Sequence, residues 1–565
     1  MYTLGISCYY HDAAACLIKD NKVIAAVEEE RFSRKKFDDD FPKQAIEYCL
    51  KEGGINKDQI DLVTFYDKTV LKFERLLDNY IAVAPRGLHS FLDVIPKWIH
   101  SRLWVKDQIR KFLNYKGKII FPEHHISHAA YSFFTSEFNE AAILTVDGVG
   151  EWTNTAFGIG KNNKVSLKQD IRWPHSLGLF YSAFTYYLGF KVNDGEYKLM
   201  GLSSYGKPKY YDLILKNLLD VKSDGSLKLN MKYFAFTYDN VMISKDFEEL
   251  FDCPRRKEDS KIEQIHLDIG ASAQLVLEEI LLKMINHVYE KTHMKNLCIS
   301  GGVALNGVAN QRILNEGPFE KVHIPPSPGD AGSSIGSALF GYYSTTNKKR
   351  EISKENPISE IVYVGPSYSN EQIKEFLDEY KIPYTKHEND ELVKVTTDLI
   401  IDQNVVGWFQ GRMEWGPRAL GNRSILADPR NGKMKDILNE KIKHRESFRP
   451  FAPTILEEYC SEYFELDVPS PYMLLVAKVK KPEKIPAVTH VDGTGRVQTV
   501  SKNSNPLYYN LINEFYNKTG VPVLINTSMN VRGEPIVNTP KQTFSMLLKT
   551  DMDALVMGNY LITKG

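Results

Sequence analysis

The chain has 565 residues, of which 43% are hydrophobic and 25% charged, an ordinary globular composition for two or three domains of about 100–200 residues each. Lysine plus arginine and aspartate plus glutamate both number 71, which argues against bulk electrostatic attraction to nucleic acid or to a membrane surface. The six cysteines form no C-x-x-C pair, and no apolar run approaches the roughly 20 residues that span a bilayer. We therefore expect reduced thiols and a cytoplasmic protein.

The first predicted elements form a β-meander, and its opening segment is typical of a strand rather than of a signal peptide. Two helical, amphipathic stretches follow, and a second meander begins near Lys118. A repeated meander predicts a duplicated architecture of two similar half-domains. The predicted strands are 2–7, 13–18, 23–27, 141–146 and 155–159, and the helical stretches are 42–52 and 70–113.

A strand–glycine–helix unit follows in the next part of the chain. A helix at 266–293 precedes a buried-type strand at 296–300, which leads to Gly301-Gly302 and a helix at 304–315. Backbone N–H groups at such a turn are a common site for nucleotide phosphate. A further helix, from Gly329-Asp330-Ala331-Gly332 to Phe340, completes this region.

The polar and charged segment at 344–360 is nearly free of apolar residues and predicts a linker. We accordingly expect a first domain at 1–345, a linker at 346–360 and a second domain at 361–565.

Two histidines and two aspartates form a candidate metal site. His124 and His128 are four residues apart, which places both imidazoles on one helix face, although hydrogen-bonded polar residues would show the same spacing. Asp147 and Asp330 are both flanked by glycine, where a carboxylate can reach a ligand without crowding. Such a set suits iron, manganese or zinc.

Glycine motifs suggest a nucleotide clamped between the two half-domains. Asp147-Gly148-Val149-Gly150 and Ser300-Gly301-Gly302 each follow an apolar strand, so their backbone N–H groups could approach phosphate oxygens. Lys198 is a further phosphate candidate, with a solvated surface lysine as the alternative.

A basic segment of the second domain is the most unusual stretch. Gly407 to Pro453 contains ten lysines and arginines against five acidic residues, and the arginines are interleaved with Gly, Pro and aromatic residues. This pattern predicts a rigid anion pocket that grips phosphate or carboxylate, which Arg496 and Arg532 could complete. Nucleic-acid binding is the weaker alternative because the chain carries no net charge and has no RNA-binding motif.

A series of specific motifs runs in order through the whole chain: GISCYYHDAAA, EEERFSRKK, HHISHAA, DGVGEW, GEYKLMGLSSYG, SGGVALN, PGDAGSSIG, GRMEWGPRALGNRSIL, FRPFAP and NTSMNVRGEPIV. On these motifs the chain resembles the NodU/CmcH/TobZ family of O-carbamoyltransferases. The resemblance implies an α/β and α+β protein with two domains. The first would be a duplicated actin/hexokinase-like (ASKHA) domain similar to Kae-type transferases, and the second a YrdC-like domain.

The same resemblance implies the activity. Carbamoyl phosphate and ATP would give carbamoyl-adenylate in the second domain, and the carbamoyl group would then pass to a hydroxyl of a small molecule, such as a natural product or a sugar, with release of AMP. The implied metal is Fe²⁺, with Mg²⁺ or Mn²⁺ as alternatives. The implied partners are carbamoyl phosphate and the hydroxyl acceptor, with no nucleic acid and no membrane, and a homodimer is compatible with the sequence.

The roles that the resemblance implies for individual residues fall into four groups. His11 and Asp12 would be catalytic and face the acceptor. The metal ligands would be His124, His128, Asp147 and Asp330. The nucleotide site of the first domain would contain Gly148, Lys198, Gly301, Gly302 and Asn306. The carbamoyl phosphate and adenylate site would contain Arg418, Lys443, Arg449, Arg496, Asn526 and Arg532.

Three other functions are considered. An ASKHA sugar kinase would open with an Asp-x-Gly-Thr loop, where this chain has His11-Asp12. A threonylcarbamoyl-type tRNA transferase would demand threonine and bicarbonate, and a nucleotide switch would leave the paired histidines and the arginines unexplained.

The identity of the acceptor is not readable from the sequence. Residues 207–262 are the least recognisable part, and we expect them to bear on acceptor choice.

Overall fold

The computed structural model describes residues 1–352, 359–446 and 448–564. The chain divides into two compact units, Met1–Ile24 with Asp39–Ile352 and Ala25–Asp38 with Ser353–Gly565. The later break falls within the predicted linker 346–360, of which residues 353–358 lie outside the described residues. Residues 25–38, which the sequence places in the first domain, are part of the second unit.

The first unit opens with a five-stranded sheet. β1 and β2 are antiparallel, whereas β4 joins β1 and β5 joins β4 in parallel. Nearly continuous runs of apolar and small residues explain these strands, because five of the six residues of β1 and of β2 are buried. The order of strands is β3-β2-β1-β4-β5. Their bounds are β1 (Tyr2–Ser7), β2 (Ala14–Lys19), β3 (Lys22–Glu28), β4 (Leu62–Phe65) and β5 (Ile119–Ile120).

A second five-stranded sheet repeats the topology of the first. Its strands are β6 (Glu140–Val146), β7 (Thr153–Lys161), β8 (Lys164–Arg172), β11 (Asn296–Ser300) and β12 (Lys321–His323), with a separate hairpin of β9 (Leu219–Val221) and β10 (Leu227–Leu229). The order is β12-β11-β6-β7-β8, with an antiparallel meander on one side of β6 and two parallel strands on the other. The predicted duplication of the sheet in the first unit is confirmed.

Two helices of the first unit come into backbone contact beside the sheets. Almost every residue of the helix at His124–Phe134 is buried. Gly336, on the helix at Ser333–Thr346, lies so close to it that a Cβ there would be 1.9 Å from the Ser127 carbonyl oxygen. This contact places the first turn of one helix next to the start of the other.

The helices of residues 1–352 are α1 (Glu30–Ser33), α2 (Lys43–Glu52), α3 (Thr69–Val83), α4 (Leu88–His100), α5 (Val105–Leu113), α6 (His124–Phe134), α7 (Leu177–Tyr187), α8 (Glu196–Ser203), α9 (Tyr211–Asn217), α10 (Lys245–Leu250), α11 (Gln264–Thr292), α12 (Gly307–Glu316) and α13 (Ser333–Thr346). The helix predicted at 304–315 is instead a 3₁₀ turn, Gly302–Leu305, followed by α12. The reason is Asn306, whose side chain accepts a hydrogen bond from Ala309 N and caps α12.

The second unit is an α/β domain with one nine-stranded mixed sheet. The strand order is β13-β21-β20-β14-β15-β19-β16-β18-β17. Its strands are β13 (Thr385–Lys386), β14 (Val406–Phe409), β15 (Arg423–Ala427), β16 (Ala452–Leu456), β17 (Leu475–Lys478), β18 (Thr494–Val500), β19 (Val523–Ser528), β20 (Ala554–Met557) and β21 (Tyr560–Thr563). Its further helices are α14 (Ser359–Val362), α15 (Asn370–Glu379), α16 (Asn389–Ile401), α17 (Met434–Ile437), α18 (Cys460–Tyr463), α19 (Pro506–Thr519) and α20 (Pro540–Lys549). Among the described residues, no helix combines the length and apolar character that a bilayer crossing requires.

Candidate functional site

Four buried side chains of the first unit converge at one point. His124 and His128 lie one turn apart at the start of α6, Asp147 follows the last residue of β6, and Asp330 precedes α13. One ligand atom from each lies within 4.8 Å of the others, and all four side chains are buried. The His124 Nε2 atom is 3.1 Å from Asp147 Oδ2 and 3.6 Å from Asp330 Oδ1. His128 Nε2 is 3.4 Å from Asp330 Oδ1.

The donor set fits a divalent cation. The two Nε2 atoms are only 3.1 Å apart, so a single proton at most can lie between them. Both carboxylate oxygens of Asp330 are buried without a hydrogen-bond partner in the part of the chain that the structure describes. Burial lowers the pKa of His124, but the charges of Asp330 and Asp147 outweigh it and raise the pKa above its ordinary value. Imidazole nitrogens and carboxylate oxygens that converge in this way form a site for iron, manganese or zinc.

Neighbouring groups orient these ligands. The Gly302 N–H donates to Asp147 Oδ1 over 2.7 Å, which leaves Oδ2 facing His124. The Nδ1 atom of His128 lies 3.3 Å from the Ser333 hydroxyl. Glu151 accepts a hydrogen bond from the backbone N–H of His124 over 3.0 Å and so caps the start of α6 with a negative charge. Such outer contacts fix the direction of metal-binding side chains.

The predicted acceptor-facing pair lies beside this cluster. His11 Nδ1 is 2.8 Å from Asp12 Oδ2, and His11 Nε2 is 4.0 Å from Asp330 Oδ2. Burial would lower the pKa of His11, but the charges of Asp12 and Asp330 raise it to about 10. Asp12 has a φ of +52°, in the left-handed region that Asp and Asn tolerate better than most residues.

The predicted nucleotide-binding residues of the first unit have different surroundings. The position that a Cβ would take on Gly148 has no atom closer than the Tyr10 hydroxyl at 3.6 Å. Gly301 has a φ of +98°, and a Cβ there would lie 2.1 Å from the Val146 carbonyl oxygen, so the close approach of β11 to β6 requires this glycine. The Asn306 amide pairs with Gln274 besides capping α12. The Lys198 ammonium lies 5.6 Å from the centre of the Phe190 ring.

One face of the sheet in the second unit carries several of the predicted anion-binding residues. Asn526 on β19 donates to Gln498 on β18 over 2.8 Å, and Arg496 lies two residues before Gln498 and thus on the same face. The Oδ1 atom of Asn526 is buried without a partner among the described residues. Ser528, two residues beyond Asn526, accepts a hydrogen bond from the Lys443 ammonium.

Lys443 is itself buried and heavily bonded. Its ammonium also donates to the backbone oxygen and the side-chain oxygen of Asn530, over 3.0 and 2.9 Å. Burial, together with the charges of Arg445 and Arg449, holds the pKa of Lys443 well below its usual value. Lys443 therefore holds the loop after β19 in place.

Glu446 brings two further predicted residues together. Arg449 Nη1 is 3.7 Å from one Glu446 oxygen, and Arg532 Nη2 is 3.9 Å from the other. Arg418, in contrast, lies within a loop shaped by Glu414. The Glu414 carboxylate accepts hydrogen bonds from the backbone N–H groups of Leu420 and Asn422 over 2.8 and 2.6 Å.

Three arginines of the basic segment hold the fold rather than line an anion pocket, which corrects the interpretation of that segment as a whole. Arg423 is fully buried against the Phe409 ring and donates to the carbonyl of Gln410 over 2.6 Å. Arg430 forms a forked ion pair with Asp428, and Arg412 donates to the carbonyl of Val364 over 2.7 Å. Gly- and Pro-rich loops leave carbonyls without helix or strand partners, and the guanidinium groups of Arg423 and Arg412 satisfy such carbonyls.

Family comparisons cover both units. Residues 2–339 match the family described as carbamoyltransferase N-terminus, and residues 397–564 match carbamoyltransferase C-terminus. The chain belongs to the carbamoyltransferase family.

Three relatives, two of them nodulation proteins, align with most of this chain. An uncharacterized protein of Synechocystis sp. is 48% identical, covering 100% of this chain and 97% of that protein. The nodulation protein NolNO of Sinorhizobium fredii is 35% identical, covering 98% of this chain and 79% of that protein. Nodulation protein U of the same organism is 28% identical, covering 93% and 92%.

Segment 25–38 of this carbamoyltransferase has a role that its local sequence pattern does not predict. Arg31 is buried and donates to the Gly416 carbonyl over 2.9 Å, while Glu28 accepts from the Gly416 N–H over 3.1 Å. Arg34 donates to the carbonyls of Pro535 and Ile536, each over 2.7 Å. The segment therefore orders the two loops that carry Arg418 and Arg532. The motif EEERFSRKK was the available signal, because so dense a run of charge is unusual in a β-meander.

Proposed function

We propose that this carbamoyltransferase is an ATP-dependent O-carbamoyltransferase that works through carbamoyl-adenylate. The observation that carries the proposal is the chemical contrast between the two units of one family member. The first unit has a buried His₂Asp₂ cluster, and the second has a face with Arg496, Lys443 and Asn526. Two such different sites support two different half-reactions.

The first half-reaction would take place in the second unit. Water attacks carbamoyl phosphate and gives carbamate and phosphate, and a carbamate oxygen then attacks the α-phosphorus of ATP and expels pyrophosphate. Both substrates are anionic, so the cationic groups lower the electrostatic repulsion between them. Arg449 and Arg532 are suited to this role because their guanidinium groups already converge on one carboxylate, that of Glu446. An anion pocket of this kind would also protect carbamate from water.

The second half-reaction would take place in the first unit. The acceptor hydroxyl attacks the carbamoyl carbon, the bond from that carbon to the AMP phosphate oxygen breaks, and the hydroxyl proton passes to a base. Asp12, in hydrogen-bond contact with His11 beside the cluster, is the group placed to take it. His11, whose raised pKa keeps it protonated at neutral pH, orients this carboxylate. A divalent ion held by His124, His128, Asp147 and Asp330 would stabilise the negative charge on the departing phosphate. Iron is the metal that we propose, with Mg²⁺ or Mn²⁺ as alternatives.

The proposed acceptor is a small molecule with a free hydroxyl, such as a sugar or another natural product. Purified protein is incubated with carbamoyl phosphate, ATP, Fe²⁺ and a metabolite extract, and mass spectrometry searches for a product that has gained one carbamoyl group in place of a hydrogen. We expect such a product only when both ATP and carbamoyl phosphate are present. A carbamoylated product formed equally well without ATP would contradict the adenylate route.

A further inference from the structure

A buried arginine in α3 has no acceptor for two of its nitrogens. The side chain of Arg75 is 5% exposed, and its Nε and Nη1 atoms are buried without a hydrogen-bond partner among the described residues. Its guanidinium group lies 4.7 Å from the centre of the Trp173 ring, and Trp173 is held by a 3.0 Å hydrogen bond to Asn79. Burial lowers the pKa of Arg75 to about 10, so it stays charged at neutral pH. A buried charge without a partner is costly, and such groups mark ligand sites.

Two carboxylates, those of Asp67 and Glu151, interact electrostatically with Arg75, but both bind other groups. Asp67 pairs with the Lys72 ammonium over 2.8 Å. Glu151 accepts hydrogen bonds from the backbone N–H groups of Lys68 and His124, over 2.7 and 3.0 Å. Neither carboxylate forms a hydrogen bond with Arg75, so the guanidinium group has donors left for a ligand.

Arg75 lies near the acceptor-facing residues His11 and Asp12, beside the His₂Asp₂ cluster. Tyr10 is among its electrostatic neighbours, and the Tyr10 ring lies 4.8 Å from the ring of His11. Glu151, another of these neighbours, holds the backbone of His124. A Cβ on Gly148 would make ordinary van der Waals contact with the Tyr10 hydroxyl, at 3.6 Å.

We propose that Arg75 binds a carboxylate or phosphoryl group on the acceptor, and that the acceptor is therefore an anionic hydroxyl compound. This inference rests on the proposed function. The Trp173 ring packs against the guanidinium group at 4.7 Å, and the planar fork of an arginine is suited to two parallel hydrogen bonds to an anion. A phosphate of the nucleotide is the alternative ligand for Arg75. The experiment below distinguishes the nucleotide from the acceptor.

The experiment compares the full-length, metal-loaded protein with Arg75→Gln and Arg75→Lys. Arg86→Gln is the matched control, because Arg86 is exposed and lies over an aromatic ring, that of Tyr238. Carbamoylated products from a metabolite extract are separated by anion exchange, and kcat/KM is measured for the purified acceptor. ADP affinity and carbamoyl-phosphate-dependent ATP–pyrophosphate exchange are measured on the same proteins.

We expect an anionic product, a fall in kcat/KM of about tenfold to hundredfold in Arg75→Gln, partial recovery in Arg75→Lys, and unchanged pyrophosphate exchange. A neutral product, or an unchanged kcat/KM, would overturn the inference. Weaker ADP binding with unchanged acceptor kinetics would also overturn it and assign Arg75 to the nucleotide.

Binding of inorganic phosphate provides a test that does not depend on transfer. If the wild-type protein forms no carbamoylated product, the proposed function fails, and phosphate affinity alone decides whether Arg75 is an anion site. We expect Arg75→Gln to weaken phosphate binding and Arg86→Gln to leave it unchanged, and equal affinities would contradict the assignment. The melting temperature is the check on folding. The Nε and Nη1 atoms of Arg75 donate no hydrogen bond to any described residue. The melting temperature of Arg75→Met should therefore be no lower than that of the wild type.

Discussion

Replacement of Arg31 by alanine tests whether segment 25–38 holds the second unit together. Arg31 is 2% exposed, and its guanidinium group lies 2.8 Å from Glu30, 3.4 Å from Glu28 and 2.9 Å from the Gly416 carbonyl. Alanine would remove a positive charge from beside two buried carboxylates and a donor from the Gly416 carbonyl. It would also free Gly416, whose φ of +103° places it at a sharp bend before Arg418.

The expected cost follows from these contacts. Removal of one partner from a buried ion pair costs about 3–5 kcal/mol. For a unit of this size, about 2–4 °C of melting temperature is lost per kcal/mol, so the transition of the second unit should fall by about 6–20 °C. Calorimetry of the full-length protein measures this shift, and carbamoyl-phosphate-dependent ATP–pyrophosphate exchange measures its effect on the adenylation step.

Lys374→Ala is the matched control, because Lys374 and Asp378 form an ion pair on α15 with side chains 52% and 48% exposed. That pair should contribute no more than about 1 kcal/mol. If Arg31→Ala melts within 2 °C of the control, about the shift expected for less than 1 kcal/mol, the buried network around Arg31 does not stabilise the second unit.

Three further predictions concern the chemistry. His124→Ala or Asp330→Ala should lose bound metal and carbamoyl transfer yet keep ATP–pyrophosphate exchange, and loss of exchange in a well-folded variant would contradict the assignment of the two half-reactions to separate sites. Arg449→Ala should abolish ATP–pyrophosphate exchange. Arg449→Lys should restore little of it, because an ammonium cannot form a bidentate fork. Full activity of the lysine variant would show that positive charge alone suffices. Asp12→Asn should fold normally, because asparagine tolerates the left-handed φ of +52°, and should still form carbamoyl-adenylate but transfer it slowly. Undiminished transfer by this variant would limit Asp12 to shaping its turn.

The arrangement of the first unit could be predicted from the sequence because its signals are local. Alternating apolar segments mark the strands, and the meander repeats, so the duplicated sheets follow. The convergence of His124, His128, Asp147 and Asp330 was foreseeable for the same reason, since each lies at the end of an element that the pattern marks.

Contacts between distant parts of the chain could not be predicted. A run such as Glu28 to Arg31 is ordinarily solvated, and only the fold shows that all four side chains are buried. Arginines that satisfy loop carbonyls look in sequence like arginines that bind anions, as Arg423 shows. The hydrogen bond from Gly302 to Asp147 likewise depends on β11 lying beside β6. Local patterns do not encode such pairings.

The nucleotide products of a single incubation test the central claim most directly. Protein, ATP, carbamoyl phosphate and Fe²⁺ are combined with the acceptor, and the nucleotides and phosphates are resolved by chromatography. We expect AMP, pyrophosphate and phosphate in equal amounts, formed only when carbamoyl phosphate is present. ADP as the nucleotide product would contradict carbamoyl-adenylate formation and indicate phosphoryl transfer to the acceptor instead.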